Sequence, residues 1–263
     1  MAEGIKGKEQ KSRKKVYSAP ALEKGLDLLE LLSSEADGLT INDITSRLDR
    51  SLGELFRMLA VLEQRGYIEL SQDRYRVTLK MFGLANRFPP IKRLTSIANP
   101  LMRRLSYIIE QSCHLVIYYE GRGHVVVQQD SPSARIFSVR LGAEAPLMNT
   151  CSGHLLLAFS DEEKRQLMLN RVPSNHPKTS KRQLKNIFET VLNQGYESLE
   201  SAQAQGIKDI GYPVFDDSGQ IAAALVVPYI GVLDGSCSHD IDNVHENIKS
   251  TAADMSLLLG YEA

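Results

Sequence analysis

Three cysteine–histidine spacings stand out in this chain: Cys113-His114, Cys151-x-x-His154 and Cys237-x-His239. Thiolates and imidazoles are ligands that zinc takes. No pair is joined by another at CxxC…CxxC spacing, the pattern of a zinc module. A buried thiol is also an ordinary small core residue, so no metal is expected. Cys151 has a second reading, because Ser152 and His154 lie beside it. A nucleophile needs a base within hydrogen-bond reach and an acid to orient that base. No acid partner is evident, and the sequence has no G-x-S-x-G, GxGxxG or Walker loop. The chain is read as a non-enzyme without a cofactor. The same segment offers another chemistry. Thr150-Cys151-Ser152-Gly153 precedes an apolar run from Leu155 to Phe159, and free N–H groups at such a helix start can hold a carboxylate. The plainer alternative is a capped helix over an ordinary core.

A second constellation could read DNA. Arg57 can give two hydrogen bonds to guanine or pair with a phosphate. Ser51 can offer a hydroxyl and N–H groups to a phosphate. Glu54 could accept from cytosine, although a capping role competes for its carboxylate. Leu52, Gly53 and Phe56 lie on the same stretch, Arg47 and Arg50 flank the turn before it, and Thr40 starts the preceding helix. Arg74 and Arg76 lie where a hairpin wing would meet the backbone or minor groove.

These residues need elements to hold them. Leu22, Leu26, Leu29 and Leu32 recur at helical spacing and predict a helix over 19–34. Asp37-Gly38 breaks it. Thr40, with Asp43 three residues on, caps a short helix that buries Ile41, Ile44 and Leu48. Asp49-Arg50 turns the chain. Ser51 and Glu54 have capping-box spacing at the start of a third helix, whose stripe is Leu55, Met58, Leu59 and Leu62 and whose end is Gly66. Tyr67–Leu70 and Tyr75–Leu79 alternate as two strands around a turn over 71–74. Helix, helix, tight turn, helix, hairpin is a winged helix-turn-helix, and the helix from Ser51 is the one that enters the major groove. The same outline also serves domains that dock on protein, so a small-molecule sensor acting through protein contacts is the alternative. Steep weakening of binding with salt would favour DNA.

Pro89-Pro90 marks a boundary, since no helix continues comfortably through it. A connecting helix follows over 91–112, with Leu94, Ile97, Leu101, Leu105 and Ile108 on one face. Beyond it strands and helices alternate. Leu115–Tyr119 and Val125–Gln129 form a hairpin, Ile136–Val139 a third strand, and 151–159, 161–170 and 180–194 are helical. Ile207–Phe215 and Ile221–Val227 flank the turn Asp216-Asp217-Ser218-Gly219, and a helix over 239–259 closes the chain. The fold class is α+β. The expected domains are a disordered basic tail (1–17), a winged helix-turn-helix (18–82), a linker with connecting helix (83–112) and an effector-binding domain (113–263).

Bulk properties agree. With 263 residues, 43% hydrophobic and 24% charged, the chain can bury a real core. A net charge of -1 means that nucleic-acid affinity must come from local basic surface. The tail carries such charge in Lys6, Lys8, Lys11, Arg13, Lys14 and Lys15, either as a solubilising segment or as a DNA-binding arm. Three scattered cysteines suit a reducing compartment. No secretory signal opens the chain, and no apolar run approaches the ~20 residues of a membrane span. A cytoplasmic protein is expected.

Several runs together carry a family resemblance. They are Ala21-Leu22-Glu23-Lys24-Gly25-Leu26-Asp27-Leu28-Leu29-Glu30-Leu31-Leu32, Gly38-Leu39-Thr40, Phe56-Arg57-Met58-Leu59 and Gly66-Tyr67-Ile68. Tyr75 to Phe82, Arg140-Leu141-Gly142, Pro146-Leu147, Thr150-Cys151-Ser152-Gly153, Gly206-Ile207 and Pro213-Val214-Phe215-Asp216 continue it. The chain resembles the IclR family of bacterial transcription regulators over nearly everything after the tail. The resemblance implies a winged helix, a linker helix and a GAF-like effector domain. It also implies homodimers or homotetramers on palindromic double-stranded operators, responding to a small organic effector. By resemblance Phe137, Ala145, Leu199, Asp209, Gly211, Val226 and Pro228 fall at pocket positions, and Thr150 to Gly153 help to hold an anionic group. Two departures matter. Family members often have Lys-Ser-Thr where this chain has Leu52-Gly53-Glu54. Carboxylate-binding members carry a carboxylate side chain at the Leu199 position, a cysteine at Asp209, and serines at Val226 and Pro228. A larger or less polar effector is therefore expected here.

Overall fold

A computed structural model describes residues 18–85, 89–134, 136–231 and 240–262. The basic tail and Cys237-x-His239 lie outside the described residues. The chain divides into two compact units between residues 88 and 89.

In the first unit, α1 (Pro20–Ser33) starts with proline, whose fixed φ suits a first helical turn. It buries Leu28 and Leu32. The expected stripe is displaced by roughly a quarter turn: Leu22 and Leu26 are 63% and 48% exposed. Helix α2 (Ile41–Leu48) is opened by a reciprocal cap. Thr40 Oγ1 accepts from the Asp43 N–H, and Asp43 accepts from the Thr40 N–H. Asp49, at φ 51°, ends α2 and begins the turn into α3 (Leu52–Gln64). Leu55 and Leu59 of α3 join Leu28, Leu32, Leu39, Ile44 and Ile68 in one core. After α3, Gly66 takes φ +70°, and Tyr67 N–H closes back on the Leu62 carbonyl at 2.9 Å. Strands β1 (Ile68–Ser71) and β2 (Arg74–Val77) pair antiparallel. Their connection is tighter than the sequence suggests. Gln72 and Asp73 both have positive φ, the two-residue geometry that matches strand twist. A short helix, α4 (Lys80–Ala85), follows.

The second unit opens with α5 (Pro89–Ile109). Pro89-Pro90 begins this helix and interrupts nothing, since the first N–H groups of a helix lack partners anyway. Its buried face is Leu94, Ala98, Met102, Leu105 and Ile109, while Ile108, expected on that face, is 39% exposed. The six-stranded antiparallel sheet is built from β3 (Cys113–Tyr119), β4 (Arg122–Gln129), β5 (Glu144–Pro146), β6 (Glu197–Glu200), β7 (Ile207–Phe215) and β8 (Ile221–Ile230). Its order is β5-β4-β3-β8-β7-β6. Helix α5 and α9 (Ile241–Leu259) pack on one face, where Leu115, Ile210, Tyr212 and Leu225 point. Helix α6 (Cys151–Ala158) packs on the other, with Val116, Ala224 and Val226. Helix α7 (Glu162–Asn170) and α8 (Lys181–Gln194) pack in turn on α6, and all eight residues of α6 are buried.

One expected strand is absent. Residues 136–140 carry no regular structure, and the third strand of that region is β5. Side-chain bonds tie the segment to β4 there: Gln128 donates to Ser138 Oγ at 2.8 Å and accepts from the Leu141 N–H at 2.9 Å.

Candidate functional site

Helix α3 displays the exposed residues Ser51, Leu52, Gly53, Glu54, Phe56 and Arg57. Their availability differs. Glu54 accepts from Lys24 Nζ at 2.9 Å, from the Ser51 N–H at 3.1 Å and from the Ser51 hydroxyl at 3.0 Å. Lys24 and then Ser51 hold its carboxyl down to about 2. Glu54 and Ser51 are thus engaged with each other. Four arginines are engaged too. Arg47 pairs with Glu35, Arg50 with Asp27, Arg74 donates to the Gly38 carbonyl and Arg76 to the Asp37 carbonyl. The last two fasten the hairpin to the loop before α2. Arg57 is exposed and has no partner among the described residues. Thr40 is held in its cap, where it draws the Asp43 carboxyl down.

In the second unit, a small cavity of about 30 Å³ lies beside the start of α6. Phe137, Ala145, Thr150, Cys151, Ser152, Asp209 and Val226 line it, together with His114, Val125, Val139, Glu144, Ser201 and Gln203. Thr150 caps α6, accepting from the Gly153 N–H at 3.1 Å and donating to the Pro146 carbonyl at 2.6 Å. The N–H groups of Cys151 and Ser152 are left without intrahelical acceptors. Burial raises the Asp209 carboxyl, against the pull of a hydrogen bond from Ser201. Burial holds the His114 imidazole down at about 4, and its Nδ1 has no hydrogen-bond partner among the described residues.

The other expected pocket residues stand behind this wall. Gly153 lets α6 approach residue 147, where an added Cβ would lie 2.3 Å from the Leu147 carbonyl oxygen. At Gly211 an added Cβ would meet Cys151 Sγ at 2.7 Å. Leu199 and Pro228 flank Asp209 on the neighbouring strands, and neither lines the cavity. Glu144, Ser201 and Gln203 escaped the sequence reading because they lie in short or irregular segments. His114 drew notice there only as a metal ligand.

The metal and nucleophile readings do not survive the geometry of the described pairs. Cys113 donates to the Met102 carbonyl, on the sheet face opposite the cavity, and burial pushes its thiol up to about 12. Burial, then Asp209 and Glu197, push the Cys151 thiol well up. Both His154 ring nitrogens are engaged elsewhere, Nδ1 2.7 Å from Glu197 Oε2 and Nε2 3.1 Å from the Met148 carbonyl. Among the described residues no three potential ligands cluster as a metal site, and no helix is long and apolar enough to cross a membrane.

Residues 21–71 match the family described as "IclR helix-turn-helix domain". Residues 92–257 match "Bacterial transcriptional regulator IclR C-terminal". The HTH-type transcriptional regulator KdgR of Dickeya chrysanthemi is 28% identical over 254 residues, covering 93% of this chain and 81% of the relative. The structure of Thermotoga maritima IclR superposes with a TM-score of 0.72 at 22% identity, covering 91% of this chain and 98% of that one. An IclR homologue from Microbacterium hydrocarbonoxydans, solved in complex with 4-hydroxybenzoate, gives a TM-score of 0.74 at 20% identity over 91% of this chain and 98% of its own. Both matches extend over the winged helix, the linker helix and the mixed α/β domain of this chain. This chain belongs to the IclR family of bacterial transcriptional regulators.

Proposed function

We propose that the chain represses or activates a catabolic operon by binding a palindromic operator as a homodimer or homotetramer, under control of a small organic effector in the cavity beside α6. In this reading Arg57, Leu52 and Phe56 face the bases. The basic residues of the turn and hairpin approach the backbone, with those now paired exchanging their partners for phosphates. The effector carries a carboxylate, bound at the N–H groups of Cys151 and Ser152.

The observation that carries the effector half is His114. It is buried in the cavity wall with an unused ring nitrogen, and a buried polar group without a partner is costly unless a ligand meets it. Asp209 and Ser201 add hydrogen-bonding groups to a lining that also holds apolar Val125, Phe137, Val139 and Val226. An organic acid is larger than the cavity, so binding displaces part of this wall. Residues 136–140 line one side of the cavity without belonging to a strand, and Ser138 is tied to Gln128 and Asp130 through side chains. A ligand that prefers the displaced arrangement shifts the population toward it.

Calorimetric titration of the full chain with a panel of small organic acids, 4-hydroxybenzoate among them, tests this. The expected result is saturable binding that His114→Ala weakens at least tenfold, and release or capture of operator DNA by the same acid. Binding unaffected by His114→Ala would remove the effector from this cavity.

A further inference from the structure

The first two turns of α3 carry a recognition chemistry more specific than general DNA affinity. The inference rests on the reading of α3 as the DNA-facing helix. Leu52 and Phe56 are 51% and 62% exposed and take no part in the core of their unit. Four residues apart, they lie one above the other on a single helix face. Gly53, between them in sequence, adds no side chain, and nothing lies within 4 Å of where its Cβ would stand. Glu54, the acceptor on this stretch, is bound by Lys24 and Ser51. The helix start therefore offers a base edge two large apolar side chains and the Arg57 guanidinium, with its carboxylate already engaged.

In the major groove the apolar feature of a base-pair edge is the thymine C5 methyl group. We propose that Leu52 and Phe56 read thymine methyls, so that each operator half-site carries thymines opposite them, beside the position that Arg57 contacts. At this point the helix offers apolar contact in place of a hydrogen-bonding side chain.

The test starts from duplexes that the full chain selects out of a random-sequence pool. Each thymine of the selected half-site is replaced in turn by uracil, which removes one methyl group and keeps every hydrogen-bonding atom. Affinity is measured by fluorescence anisotropy at fixed salt. The expected loss is about fourfold for each methyl that is fully buried on binding, at one or two positions. Phe56→Ala or Leu52→Ala should bind the thymine duplex more weakly and become indifferent to uracil at its own position. Both side chains are exposed, so neither change threatens folding. Equal binding of thymine and uracil duplexes by the parent protein would overturn the proposal while leaving DNA binding intact. So would a uracil penalty that persists in both variants, or a second copy of the chain occupying this face in a crosslinking experiment. If no duplex is selected at all, the DNA reading of α3 fails with it.

Discussion

The His154 ring ties helix α6 to the edge strand β6, with Nδ1 2.7 Å from Glu197 Oε2 and both side chains buried. Its Nε2 meets the Met148 carbonyl, so one ring joins a helix, a strand and the loop that leads into the cavity wall. Glu197→Ala leaves the ring nitrogen buried without a partner and should lower stability by about 1–3 kcal/mol. Glu197→Gln retains an acceptor and should lose less. Urea unfolding curves of the two variants check the order; an alanine variant as stable as the parent would refute the role.

Gly211 sets the distance between β7 and α6. Its added Cβ would stand 2.7 Å from Cys151 Sγ and 2.8 Å from Leu155 Cδ1. Gly211→Ala should cost about 1–3 kcal/mol by overpacking. Combining it with Cys151→Ala opens space on one side, so the two changes should be clearly non-additive in thermal or chemical unfolding.

His114 makes stability depend on pH. Its folded value lies near 4, below the ordinary 6.5. The unfolded chain therefore binds more protons than the folded chain between those values, and stability falls as pH drops through that window. The contribution is full above the ordinary value and is lost at about 1.4 kcal/mol per pH unit on the way down. His114→Asn should flatten this part of the profile relative to the parent. His245, also held low by burial, contributes in the same direction in both proteins. An unchanged slope between pH 6.5 and pH 4 in the variant would show that another group carries it.

Arg57 is the guanidinium on α3 that no partner among the described residues restrains. Arg57→Ala should lower specific affinity by about 1–3 kcal/mol if it meets a base. Arg57→Lys keeps the charge and loses the planar fork. It should therefore preserve the salt dependence of binding while narrowing the gap between specific and non-specific duplexes. Affinities of both variants across a salt series separate base reading from simple phosphate attraction.

Much of this architecture is legible from residue type. Thr40 with Asp43 and Ser51 with Glu54 mark the helix starts, and Gly66 marks the end of α3, because capping and left-handed backbone require those residues locally. The cavity is partly legible. Thr150, Cys151 and Ser152 announce a helix start, and Asp209 and Val226 enter by resemblance. Long-range pairing is what local pattern cannot supply. Residues 136–139 look like a strand, yet they pair with no neighbour in the sheet, and Gln128 instead bonds the Ser138 hydroxyl and the Leu141 N–H. Leu22 and Leu26 continue the spacing of α1 but face away from Leu28 and Leu32, because spacing reveals a stripe and not which neighbour covers it. Likewise, nothing in the sequence indicates that Arg47, Arg50, Arg74 and Arg76 hold internal partners while Arg57 has none among the described residues.

Helix α6 has no side open to water: the sheet lies beneath it, and α7 and α8 close over it. A helix with one wet face can absorb a push by letting outer side chains swing aside. This one cannot. Force applied at Thr150 or Ser152 has to travel, either by sliding the whole helix against β7 and β8 or by levering α8 outward.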